Sequence, residues 1–162
     1  MNASDDPSGS NPKRGPSGDP VADIGYNPLK ETLARAEEAT TALRANYTEW
    51  ARIDVDQAQA ILAAATSEPD RRREHLDLVY AAMHNIKGQG ASFGYPLVTR
   101  IGQSLCRLIA PGRALDDAGL KVAQAHLDAL KLVLDKKIAG KGGEVGDKLA
   151  ARLESLTAGG EH

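Results

Sequence analysis

Three residues lying close together could do chemistry as a group: His84, Lys87 and Gly88, in the order His-x-x-Lys-Gly. A good share of free imidazole is unprotonated near neutral pH, so a histidine can act as a nucleophile without a dedicated base. A lysine three residues further on lies over the same side of a helix, where its ammonium can stabilise charge on the oxygens of a phosphoryl group in transfer. A partner bringing that group in line with the ring nitrogen needs clearance, and glycine at 88 removes the side chain that would obstruct it. Gly88 and Gly90 each cost about 1 kcal/mol relative to alanine inside a helix, so two in one turn imply a compensating use, and close approach is the simplest one. With this composition a chance His-x-x-Lys-Gly is expected about 0.02 times in the chain.

The elements that must hold these residues follow from the apolar pattern. Asn27-Pro28 is a helix start, with Asn27 as N-cap and Pro28 at the first helical position. The seam Leu29, Leu33, Ala36, Thr40, Leu43, Tyr47 and Trp50, continued by Ala58, Ile61 and Ala65, predicts one long helix to about Thr66. The alternative is two helices broken near Ile53 to Val55. Ser67-Glu68-Pro69-Asp70 opens a second helix with Leu76, Val79, Tyr80, Met83, Ile86 and Gly90 on one face. At about 100° per residue, His84 stands a quarter turn from Met83, at the edge of that face and within reach of solvent.

The turn Phe93-Gly94-Tyr95-Pro96 reverses the chain, and the next helix buries Leu97, Ile101, Leu105 and Leu108. Ala110-Pro111-Gly112 closes it. Asp116 or Asp117 caps a fourth helix with Leu120, Ala123, Leu127, Leu130, Val133 or Leu134, and Ile138 as its stripe. The expectation is an all-α chain. Residues 1–25 form a disordered tail, 26–139 an antiparallel up-down-up-down four-helix bundle, and 140–162 a flexible glycine linker with a short helix over Val145 to Leu156.

Composition removes several function classes. Lys and Arg total 20 against 22 Asp and Glu, which leaves no basic excess for nucleic acid. No apolar stretch suggests a signal peptide or a membrane span, and the single Cys106 cannot pair within the chain, so a reducing cytoplasm is expected. His75, His126 and His162 lack the spacing of metal ligands and read as solvated or edge residues; no metal site is predicted. Arg71-Arg72-Arg73 reads as a solvated face rather than a docking patch. Tyr47, Trp50 and Cys106 read as core, and Gly102 as a point of close helix packing.

His84-x-x-Lys87-Gly88, followed by Phe93-Gly94 and an amphipathic helix, resembles the motif of the histidine phosphotransfer (HPt) family over about residues 28–138. The resemblance implies a four-helix bundle whose second long helix carries the phospho-accepting histidine, here His84. It implies that Lys87 stabilises the phosphoryl group and that Gly88, Gln89 and Ala91 form the access and docking surface for a receiver domain. Gly94 shapes the turn, and in some members a polar residue on the following helix orients the imidazole; the equivalent neighbourhood here offers Gln103 and, closer to the ungapped match, Cys106. The implied partners are response-regulator receiver domains or a hybrid histidine kinase, with Mg²⁺ supplied by the receiver and no cofactor bound by this chain. No ATP site is predicted, because a Walker-type glycine motif is absent. Two rivals remain: a dimerising, histidine-bearing fragment of a sensor kinase, and a helical adaptor that never reacts. Four complete amphipathic helices favour a monomer over the first.

Overall fold

A computed structural model describes residues 26–159, and every regular element in that range is helical. The expected disordered tail and His162 lie outside the described residues. Five α-helices follow one another: α1 (Pro28–Ser67), α2 (Arg72–Gly90), α3 (Pro96–Leu108), α4 (Asp117–Asp135) and α5 (Gly143–Gly159). Single 3₁₀ turns at Pro69–Arg71 and Ala91–Phe93 lead into and out of α2. No described helix is long and apolar enough to cross a membrane.

The chain divides into two units between Thr41 and Ala42. In the first, Asn27 caps α1 as predicted, its Oδ1 accepting from the backbone N–H groups of Leu29 and Lys30 at 3.0 and 3.3 Å. The predicted seam is not buried there: Leu29, Leu33, Ala36 and Thr40 are all exposed. Leu43, in the second unit, is exposed as well.

In the second unit burial on α1 starts at Tyr47 and follows Ala51, Val55, Ala58, Leu62 and Ala65. Trp50 and Ile61, predicted on the seam, are only half-buried. Val55 lies inside the Ile53 to Val55 stretch that would have to break for two helices to form. Its burial supplies packing that outweighs the weak helix propensity of a β-branched residue, and the helix runs through.

α3 is the most enclosed element, packing against α2, α4 and α5. Its expected stripe is buried, as is that of α4 from Leu120 to Leu134; Ile138 lies beyond the end of α4 and is half-buried. Asp116 is the N-cap of α4, accepting from the Gly119 amide at 2.8 Å. Gly94 takes φ +89°, the left-handed value the α2–α3 turn was expected to need.

α5 is longer than the predicted short helix and is docked, burying Gly146, Ala150, Leu153 and Thr157. The glycine run before it is tied to the α2–α3 turn. The Gly140 amide donates to the Gly94 carbonyl at 2.8 Å, and the Leu97 amide donates to the Gly140 carbonyl at 3.3 Å.

Two sequence readings are corrected. Arg72 and Arg73 are not part of a solvated face. Arg72 donates to the carbonyls of Ala65 and Leu115, and Arg73 to those of Ile109, Ala110 and Arg113, so together they brace the α3–α4 connection. That connection leaves carbonyls without helical partners, and a guanidinium fork can serve several at once. Arg71 is exposed and pairs with Glu68 and Glu74.

His126 is not an edge residue but fully buried. Its Nδ1 lies 2.8 Å from the Val122 carbonyl, which can only accept, so Nδ1 carries the proton. Nε2 then accepts from the hydroxyl pair of Ser104 and Thr157, which lie 2.9 and 3.2 Å away and 2.9 Å from each other. One polar cluster thus joins α3, α4 and α5, and burial pushes the imidazole pKa of His126 down. His75 is half-buried, with Nε2 3.3 Å from a Glu68 carboxylate oxygen.

Candidate functional site

Helix α2 presents His84 because its buried line runs through Leu76, Val79, Met83, Ile86 and Gly90, leaving position 84 on the outer flank. The His84 side chain is exposed, as its place beside Met83 predicted. Its imidazole stacks on the ring of Tyr80, one turn earlier, with centroids 5.9 Å apart. The apolar periodicity places Tyr80 on the buried face and gives it no part beside His84. The available signal was the i, i+4 spacing of two flat rings, since helical side chains lean toward the N-terminus and His84 therefore falls over residue 80.

Gly88 is exposed, and a Cβ built there would meet nothing within 4 Å. Gln89 and Ala91 are exposed beside it. Gly90 differs: a Cβ there would lie 2.6 Å from Thr99 Oγ1 and 3.0 Å from the Tyr95 carbonyl. Its glycine serves contact inside the chain, which corrects the reading that grouped it with Gly88 as room for a partner.

The atom admitted by Gly90 has a defined place. Thr99 Oγ1 donates to the Lys87 carbonyl and accepts from the Ala91 amide, both at 2.8 Å. It thus bridges a donor and an acceptor at the end of α2 that are four residues apart. One residue earlier, Tyr47 Oη donates to the Ile86 carbonyl at 3.0 Å. Tyr47 is fully enclosed, stacked on Phe93 and edge-on to Trp50, and burial pushes its phenol pKa up. Neither hydroxyl was singled out from sequence for a role at α2.

Lys87 is half-buried on the flank facing α3. A Cβ at Gly102 would come within 2.8 Å of the Lys87 Cβ, so the close packing expected of Gly102 is what seats the lysine stem. The ammonium also acts on Cys106 of α3, favouring its thiolate, but burial dominates and pushes that thiol up to about 11. Cys106 is therefore an inert core residue. Gln103 is exposed on α3, and among the described residues no hydrogen bond joins it to His84. Gly94 lies at the far end of α2, its ideal Cβ position 2.9 Å from the Arg44 guanidinium; it belongs to the turn, not to the surface around His84.

His84, Gly88, Gln89 and Ala91 thus share open surface, with Lys87 on its inner margin. Open surface grooves lie among Thr48, Glu49, Arg52 and Asp135 and among Leu97, Arg100, Lys141 and Asp147. An exposed nucleophile beside a bare turn of helix suits a group delivered by another macromolecule better than a small substrate, which needs a concave site. No protein-family model, curated protein or solved structure matches this chain.

Proposed function

We propose that this chain is a histidine phosphotransfer protein of a two-component phosphorelay, in which His84 accepts a phosphoryl group from a receiver-domain aspartate and donates it to another receiver. One observation carries the reading. Gly88 stands one turn from an exposed imidazole, and the side chain it lacks would have no neighbour within the chain, so its cost in helix stability has no internal use. Clearance for a partner gives it one.

In the forward step a ring nitrogen lone pair forms the N–P bond as the P–O bond to the aspartyl carboxylate breaks, and the electron pair of that bond returns to the carboxylate. The next receiver reverses the step with its own aspartate. Mg²⁺ comes with the receiver. Lys87, seated against Gly102, supplies an ammonium at the margin of the site for the phosphoryl oxygens. Gly88, Gln89 and Ala91 form the docking surface. The finer architecture in this reading is an antiparallel up-down-up-down bundle of α1 to α4 with α5 docked on it, acting as a cytoplasmic monomer.

The test is incubation with a phosphorylated receiver domain. The chain acquires an acid-labile, alkali-stable label, and His84→Gln abolishes it. Full labelling of that variant rejects the assignment.

A further inference from the structure

We infer that Tyr80 is the positioning residue of the His84 imidazole, an inference that rests on the phosphotransfer reading above. The two rings are stacked, with centroids 5.9 Å apart and planes inclined by 22°. Tyr80 is half-buried and packs against the core, so its ring is held from below. His84 stands on the exposed flank of α2, where a lone imidazole would exchange among its rotamers. At this separation the near-parallel rings are offset, so Tyr80 lies along one side of the imidazole and limits its rotation toward that side. Both nitrogens lie in the ring edge and stay available to a phosphoryl group arriving in the ring plane.

The tyrosine face has a second effect. When a ring nitrogen bonds to phosphorus the imidazole gains positive charge, and the negative face of an aromatic ring attracts such charge. That attraction is stronger after the N–P bond begins to form than before it, so it favours transfer rather than docking. Of the two residues expected near the histidine, Gln103 makes no hydrogen bond to it and Cys106 is buried, and the stack takes over the orienting task.

Two kinds of substitution test this. Tyr80→Leu and Tyr80→Met remove the ring while keeping apolar bulk over the core; Tyr80→Phe keeps the ring and loses only the hydroxyl. In the wild type and in Tyr80→Phe the carbon-bound imidazole protons of His84 show an upfield ring-current displacement in NMR spectra, and in the other two variants they do not. With a phosphorylated receiver, Tyr80→Leu and Tyr80→Met lower the rate of labelling at saturating receiver about fivefold, the order expected for one aromatic pair. The half-saturating receiver concentration changes by less than about twofold, and Tyr80→Phe transfers as the wild type does.

A Leu variant that has lost the ring-current displacement yet labels at the full saturating rate overturns the inference alone. So does a loss confined to the half-saturating concentration, or imidazole protons that do not move between the wild type and the Leu variant. Absence of any label on the wild type, with the ring-current displacement present, instead rejects the phosphotransfer reading and the role of Tyr80 with it.

Discussion

Gly88 and Gly90 are two residues apart on one helix, and alanine in their places should shift stability in opposite directions. At Gly88 the new methyl meets nothing within 4 Å and points to open space. The gain is the difference in helix propensity, about 0.5–1 kcal/mol, reduced somewhat because α2 ends at Gly90. At Gly90 the same gain competes with a methyl 2.6 Å from Thr99 Oγ1, 3.0 Å from the Tyr95 carbonyl and 3.1 Å from the Thr99 amide. Two of those atoms are backbone at the start of α3, so relief requires α2 and α3 to separate and the hydroxyl bridge to Lys87 and Ala91 to stretch. Overpacking of this kind costs about 1–3 kcal/mol, which set against the propensity gain leaves a net loss of up to about 2.5 kcal/mol, centred near 1. Urea unfolding followed by circular dichroism measures both. With a slope of about 1.5 kcal/mol/M, Gly88→Ala raises the midpoint by about 0.5 M and Gly90→Ala lowers it by about 1 M, with the slope unchanged. Gly88→Gln should also be at least as stable as the wild type while blocking transfer by bulk. A destabilised Gly88→Ala would mean that the glycine serves the fold, and the argument that its cost is offset by partner access would collapse. A Gly88→Gln variant that transfers normally would be equally damaging.

Two more perturbations bear on parts of the fold that periodicity did not expose. The folded-state pKa of His126 is lowered, so below an unfolded-state value of about 6.5 the unfolded chain binds the extra proton first and stability falls as pH decreases through that window, by at most about 1.4 kcal/mol per pH unit. Urea midpoints compared at pH 7.5 and 5.5 should show this loss in the wild type and a smaller one in His126→Gln; an equal loss in both would assign the pH dependence to other groups. Arg73→Ala strips the Ile109, Ala110 and Arg113 carbonyls of a shared donor and should cost about 1–3 kcal/mol, with Arg73→Lys recovering only part because an ammonium lacks the fork; full recovery by lysine in the same unfolding assay would refute the bracing role.

The sequence made some features legible because their causes are local. Asp116 caps α4 through its own side chain three residues on, Gly94 turns left-handed because only a missing Cβ makes that cheap, and His84 is exposed because Met83 and Ile86 are not. What stayed hidden depends on partners far along the chain. A three-four repeat says that α1 has an apolar face but not what covers it, and Leu29 and Leu33 are exposed. His126, Ser104 and Thr157 each look like a polar interruption of a stripe, and only their meeting across three helices makes burial tolerable. Arg72 and Arg73 read as a charge run until the carbonyls between Ile109 and Leu115 come alongside. Gly90 and Gly88 are the same residue type with different uses, a distinction that depends on Thr99.

The last turn of α2 is held from its inner side and left bare on its outer side. Tyr47 fixes the Ile86 carbonyl from α1, and Thr99 fixes the Lys87 carbonyl and the Ala91 amide from α3. Gly102 lets α3 approach closely enough to seat the lysine stem. These contacts fall on the residues between His84 and the hairpin turn, so the backbone that carries Lys87 and Gly88 is anchored by two other helices rather than by its own ladder alone. A relay residue must meet two different aspartates with one geometry, since acceptance and donation are the same step run in opposite directions. A nucleophile on a mobile loop would have to be ordered afresh by each partner, at a cost in rate on both passages. On the proposed phosphotransfer reading, an imidazole on a helix whose buried side is pinned and whose exposed side carries no bulk would avoid that cost once for both partners.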